Sequence, residues 1–135
     1  MRNAAAGLFL TWCLAAAPGA YAQDENAPEA QASIRKGEAA HLDRDSIGDY
    51  SSMKRFEVDI AWGDDAGPRP GDHKNRRVRY VADCRADTLT LVTVAVFDRT
   101  GMLEKSMIVP PGATDPFKPD TGSIQSKWLQ NVCRQ

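Results

Sequence analysis

Residues Thr88–Phe97, TLTLVTVAVF, decide the fold of this chain because β-branched or apolar side chains fill both alternating faces of the stretch. A strand that is apolar on both faces is typical of a central strand with more than solvent packed against it. Residues 98–101, DRTG, then supply a short turn with a glycine available for positive φ. Residues 102–109 return as the partner strand, so the pattern predicts a hairpin inside a sheet.

Two earlier stretches show the period of two that is typical of a strand with one buried face. In Met53–Trp62 the inward positions are Phe56, Val58, Ile60 and Trp62. In residues 77–84 they are Val78, Tyr80, Ala82 and Cys84. Residues 39–42 form a shorter extended candidate, and the Asp and Ser side chains of residues 43–46 predict a turn after it.

The chain ends in a segment with helical periodicity. Ile124, Trp128 and Val132 recur every four residues, which predicts a helix that covers the second face of the central strand. Candidates for its N-terminal cap are Asp120, Thr121 and Ser123. We therefore predict an α+β fold in which a C-terminal α-helix packs on a small antiparallel sheet of about five or six strands.

The first residues have the form of a secretory signal peptide. Arg2 supplies a positive charge and residues 4–17 are apolar. The small residues Ala20 and Ala22 then match a signal-peptidase cleavage site before Gln23. The polar residues that follow cannot bury enough apolar surface to offset the conformational entropy lost when they become ordered. Their Ala, Gln and Glu content nevertheless allows a short helix. The predicted division is a signal peptide at 1–22, a flexible leader at 23–37 and one domain at 38–135.

The charge of the chain is nearly balanced, with 17 basic and 18 acidic side chains and a net charge of −1. No strong field would draw it to nucleic acid or to an anionic membrane, so we predict no nucleic-acid partner. No second apolar run follows the predicted signal peptide, and we expect no transmembrane segment.

The cysteines are expected to form one disulfide. Cys13 falls within the predicted signal peptide, and the bulky residue before it does not resemble a lipoprotein signal. Cys84 and Cys133 remain, and an oxidising compartment favours a bridge between them. It would close a loop of about 50 residues, for which the chain-entropy model gives roughly 4 kcal/mol of stabilisation. The alternatives are free thiols, an intermolecular bridge or a metal site, and the last lacks zinc-site spacing.

A basic cluster is the candidate contact surface, and it consists of Lys74, Arg76, Arg77 and Arg79. Charge-assisted contacts from this cluster could hold an acidic protein segment or a sulfated polysaccharide. Alternatively, the cluster is a solvated strand edge whose charges prevent pairing with another chain. The acidic side chains that would balance it are Asp64, Asp65 and Asp72.

The sequence contains no residue set with the spacing of a catalytic or metal site. His41 and His73 stand in separate segments, and His73 is expected in an exposed loop. Asp43 and Asp45 lack the regular acidic spacing of a calcium loop and fit turn chemistry better. The serines lack a G-x-S-x-G context. We therefore predict no enzymatic activity, no metal and no cofactor.

Three features resemble a known family when taken in order. Residues 41–47, HLDRDSI, resemble its opening motif; Cys84 precedes the strand LTLVTVAVFDRTG; and a Pro-Gly stretch, a short helix and Cys133 close the chain. Over residues 38–133 the chain resembles the surface-adhesin protein E family of small exported bacterial proteins. This resemblance implies a small antiparallel sheet with a C-terminal helix pinned by a disulfide. It also implies a Gram-negative envelope location and adhesion to host extracellular-matrix proteins.

These expectations describe an exported binding module, in the periplasm or at the outer surface, that works through surface complementarity. The alternative is a periplasmic structural or assembly-accessory protein that pairs through a sheet edge. Both hypotheses imply a protein partner, and both allow a homodimer.

Overall fold

Five antiparallel strands form one sheet in which the spatial order of the strands follows the chain. The computed structural model describes residues 26–135, so the predicted signal peptide and Cys13 lie outside the described residues. The strands are β1 Glu38–Tyr50, β2 Met53–Trp62, β3 Asn75–Asp83, β4 Thr88–Phe97 and β5 Leu103–Ile108. Helix α1 (Pro28–Ala32) precedes the sheet and helix α2 (Ile124–Cys133) follows it. The predicted α+β fold is confirmed.

The hydrophobic core lies on one face of the sheet, which we call the inner face. Its buried strand positions are Phe56, Val58, Ile60, Val78, Tyr80, Ala82, Leu89, Leu91, Val94 and Val96. The period of two predicted for β2 and β3 is therefore confirmed at their core positions. We call the opposite side the outer face.

Helix α2 packs on the inner face and is tied there by a disulfide. The Ser123 hydroxyl accepts a hydrogen bond from the Ser126 N–H at 3.1 Å, which caps the first turn. Trp128 and Val132 are buried in the core, and Cys133 is bonded to Cys84. The predicted disulfide is confirmed.

The face covered by α2 differs from the prediction. We expected this helix to cover the second face of Thr88–Phe97, but the Trp128 ring packs against Tyr80 on the inner face, with centroids 6.0 Å apart. Helix α1 contributes Ala32 to the same core. The apolar outer positions of β4, which include Ala95 and Phe97, are therefore only half-buried.

Strand β1 is longer than predicted because the expected turn at residues 43–46 is an irregularity within the strand. The pairing register with β2 shifts between Asp43 and Gly48. The Asp45 N–H donates to Asp43 Oδ1 at 3.0 Å, and the Ser46 hydroxyl accepts from the Glu57 N–H at 2.7 Å. The turn-forming side chains thus bond the backbone locally, while the chain continues in the same direction as a bulged strand.

Part of the predicted leader lies against the sheet. Residue Pro28 occupies the first turn of α1, where its missing N–H removes no helical hydrogen bond. Ile34 packs against the core, and the carbonyls of Gln31 and Ser33 accept hydrogen bonds from Arg76 at 2.7 and 3.0 Å. Neither helix in the described part of the chain has the length and apolar character of a membrane span.

Candidate functional site

The structure divides the basic cluster between three environments. Strand alternation places Arg77 and Arg79 together on the outer face, with side chains 47% and 46% exposed. Arg76 points to the inner face, and its side chain is only 1% exposed. Lys74 lies before β3 and forms an ion pair with Glu104 at 2.5 Å. Only two of the four residues therefore share a surface.

The two outer-face arginines are held by carboxylates on the neighbouring strand. Arg77 lies opposite Asp59 and Arg79 opposite Glu57. The Arg77 Nε donates to Asp59 at 2.8 Å, and the Arg79 Nη2 donates to Glu57 at 2.5 Å. The hydrogen bond from Arg77 to Asp59, with the charge of that carboxylate, raises the pKa of the guanidinium.

The charge on these arginines is thus balanced within the sheet itself. The carboxylates of Asp59 and Glu57 neutralise the two arginines. The sequence had predicted this role for the loop residues Asp64, Asp65 and Asp72. An ordered arginine with a carboxylate beside it is a polar contact group more than a source of long-range attraction.

An apolar strip lies beside these arginines on the outer face. It is formed by three cross-strand pairs between β4 and β5, which we call the outer strip: Thr93 with Ile108, Ala95 with Ser106, and Phe97 with Leu103. Leu103 is 59% exposed and Ile108 is 76% exposed. Arg77 lies directly opposite Ala95, and Arg79 opposite Thr93, so the two arginines border the strip.

Strand β5 also forms an open edge of the sheet. The Val109 N–H donates to the Val92 carbonyl at 2.8 Å, so the peptide groups of Val109 point toward β4. In an antiparallel pair these directions alternate along the strand. Ser106 and Ile108 therefore direct their backbone N–H and C=O groups away from the sheet, where another strand can pair with them.

A buried polar cluster lies where β1, β3 and the 63–74 loop meet. The Glu38 carboxylate accepts hydrogen bonds from the Arg76 guanidinium and from the Arg35 N–H, the latter at 2.7 Å. The Nε2 of His73 lies 2.8 Å from the other carboxylate oxygen. The side chains of Glu38 and Arg76 are each 1% exposed. This cluster was missed from the sequence because its members are 35 and 38 positions apart.

The pKa shifts of the buried pair follow from these contacts. Burial alone would raise the pKa of Glu38, but the hydrogen bonds from Arg35, His73 and Arg76 outweigh it and hold the pKa below its ordinary value. Burial lowers the pKa of the Arg76 guanidinium, and Glu38 opposes that change. The cluster therefore contains a buried ion pair between Glu38 and Arg76, which fixes the start of β1 relative to β3.

His73 does not lie in an exposed loop as predicted, since its side chain is only 8% exposed. Its ring meets the Trp62 ring edge-on, with centroids 5.4 Å apart. Gly37 allows this packing because a Cβ at that position would overlap the Trp62 ring. The Trp62 Nε1 donates to the Gly67 carbonyl at 2.9 Å, which holds the loop over the histidine.

Within residues 26–135, no group of three or more His, Cys, Asp or Glu side chains is placed to hold a metal ion. Comparisons of the chain with protein-family models, with curated proteins and with solved structures found no match. The resemblance to the surface-adhesin protein E family rests on residues 41–47, the strand after Cys84 and the C-terminal segment that ends in Cys133.

Proposed function

We propose that this protein is an exported binding module that contacts a protein partner through the outer strip. The observation that carries the proposal is an apolar strip on a sheet face where neither helix packs, bordered by Arg77 and Arg79. Large exposed apolar side chains gathered on one surface are typical of interaction sites. The strip stands on paired strands, so little backbone freedom would be lost on binding.

The order of residues across the outer face fits the usual anatomy of a protein interface. The apolar side chains of the outer strip would form its dry centre, while Arg77 and Arg79 supply a polar rim. Arginine is enriched at protein interfaces, where its planar guanidinium makes several directed hydrogen bonds. Since both arginines are already paired, the rim would set the orientation of the partner and contribute little general attraction to acidic surfaces.

The resemblance to adhesins suggests that the partner is a host extracellular-matrix protein. Leu103→Asp combined with Ile108→Asp places a charge at each end of the outer strip without altering a buried residue. We expect this double variant to lose binding to an immobilised basement-membrane extract by at least about tenfold, as removal of apolar contacts commonly does. Biolayer interferometry on the purified exported protein measures the change.

The matched control for this experiment is Tyr50→Asp. Tyr50 is 55% exposed at the end of β1, on the opposite edge of the sheet. Its substitution should leave binding unchanged. Binding that survives in the double variant, or that is lost equally in the control, would reject the outer strip as the contact surface.

The open edge of β5 favours a second candidate function, a periplasmic assembly-accessory protein. A partner strand could pair with the outward peptide groups of Ser106 and Ile108 and extend the sheet. Main-chain pairing of this kind needs an exposed and regular edge, which β5 supplies from Lys105 to Ile108, where its register with β4 is unbroken.

Two experiments separate the candidates. A C-terminal tag that external antibody and protease reach on intact cells supports adhesion, whereas protection until the outer membrane is opened supports the accessory role. Ser106→Pro should abolish pairing at the β5 edge, because it removes an N–H that points outward and leaves the β4 ladder intact. Ser106→Ala is its control and should pair normally. An accessory role is rejected if the proline variant retains the partner that the alanine variant holds.

A further inference from the structure

A cavity of about 260 Å³ opens on the inner face of the sheet. It lies between α1, the irregular segment before α2, and the strands beneath them. The residues that define its character are Glu29, Tyr80, Leu91, Thr114, Asp115 and Phe117. Because the outer strip is on the other side of the sheet, this cavity and the proposed binding surface can be tested separately.

Two aromatic rings form a corner of the cavity. The rings of Tyr80 and Phe117 are 6.5 Å apart and inclined at 72° to each other. Phe117 is fixed by a pair of backbone hydrogen bonds with Leu89, each 2.9 Å long. Tyr80 is fixed from behind by the Phe56 ring, 5.6 Å away. Burial raises the pKa of Tyr80 to about 12, so its ring remains a neutral phenol at physiological pH.

Two carboxylates lie at the cavity beside the neutral polar side chains of Ser33, Thr114 and Gln125. The carboxylates of Glu29 and Asp115 form no ion pair within the described residues 26–135. The Thr114 hydroxyl oxygen is buried and has no hydrogen-bond partner there. A buried hydroxyl without a partner is costly, and it adds a polar point to the wall of the cavity.

We propose that this cavity binds a small organic cation with an apolar body, of the alkylammonium or quaternary ammonium class. The Phe117 ring is 40% exposed, and its face can attract such a cation through its negative quadrupole. Two unpaired carboxylates at the same opening add attraction for positive charge and exclude anions. The apolar floor at Leu91 suits the methyl groups of the ligand.

Choline and its neutral isostere 3,3-dimethylbutan-1-ol test this proposal directly, since the two differ in charge and hardly in shape. Both are titrated into the ¹⁵N-labelled exported protein, and the amide shifts of Thr114, Phe117 and Gln125 are followed. We expect saturable shifts with choline and at least about tenfold weaker binding of the isostere. Equal binding of the two compounds, or no saturable shift with choline, overturns the proposal.

Charge-removing variants locate the site. Glu29→Gln combined with Asp115→Asn should weaken choline binding by about tenfold, because both attractive charges are lost. Asp64→Asn combined with Asp65→Asn removes the same charge from exposed residues away from the cavity and should leave binding unchanged. Phe117→Leu should also weaken binding while preserving the backbone pairing. Unchanged affinity in the first double variant, or an equal loss in the second, overturns the proposal.

Discussion

Removal of the Cys84–Cys133 disulfide is expected to lower the free energy of unfolding by about 4 kcal/mol. The bridge joins residues separated by 49 positions, so it restricts a large loop in the unfolded chain. Domains of this size have a net stability of roughly 5–15 kcal/mol, so the loss is a large share of the total. It also releases the end of α2, whose Trp128 and Val132 complete the core.

Urea unfolding followed by tryptophan fluorescence, with and without dithiothreitol, measures this effect. The double variant Cys84→Ala with Cys133→Ala should match the reduced wild type and should not respond to dithiothreitol. A stability loss below about 1 kcal/mol in both cases would contradict the prediction and show that packing alone holds α2 in place.

The strands were predictable because their side chains obey a local rule. The alternation in β2 and β3 needs only the period of two, and Phe56 and Val78 are fully buried where that rule places them. Helix α2 follows in the same way from its spacing of four and from the cap at Ser123. In each case the pattern of apolar residues lies within one short stretch of the chain. The sequence of that stretch is therefore sufficient to predict the strand or helix and its buried face.

The turn expected at residues 43–46 shows where a local rule is insufficient. Asp43 and Ser46 do form the short-range hydrogen bonds that are typical of turns. The same hydrogen bonds also form at β-bulges. Whether the chain reverses or continues depends on β2, whose Glu57 N–H bonds the Ser46 hydroxyl. That partner lies 11 residues away, so the outcome is a property of strand register and not of the motif.

The candidate site was predicted only in part for the same reason. Consecutive basic residues suggested one patch, but the alternation that was correctly assigned to β3 separates Arg76 from Arg77 and Arg79. The outer strip depends on the pairing of β4 with β5. It also depends on the packing of α2 against the inner face. The apolar stretch Thr88–Phe97 alone does not determine which face the helix covers.

The second large effect is expected at the buried cluster, where Glu38→Gln should lower the free energy of unfolding by about 3 kcal/mol. The substitution preserves the shape of the side chain but leaves the Arg76 guanidinium buried without a counter-charge. It also weakens the contact with His73 and, through Arg76, the attachment of residues 31–33 to the sheet. Urea unfolding at neutral pH measures the loss.

Glu104→Gln is the matched control, since it is the same substitution in another carboxylate–cation pair. Glu104 and its partner Lys74 are 41% and 45% exposed, and solvent screens their attraction. Exposed pairs contribute about 0–1 kcal/mol, so this variant should remain close to the wild type. Equal losses in the two variants would contradict the importance of burial for the Glu38 cluster.

The pH dependence of the free energy of unfolding shows whether Glu38→Gln destabilises the protein by removing the carboxylate charge or by altering the packing of the side chain. The pKa of Glu38 is lower in the folded protein than its ordinary value, so the unfolded chain takes up the proton more readily. Its contribution should therefore be complete above about pH 4.3 and should decline as the pH falls toward the lower folded-state pKa. The difference in stability between wild type and Glu38→Gln should narrow over that acidic range. A difference that stays constant from neutral pH to about pH 3 would mean that the carboxylate acts through its shape and not through its charge.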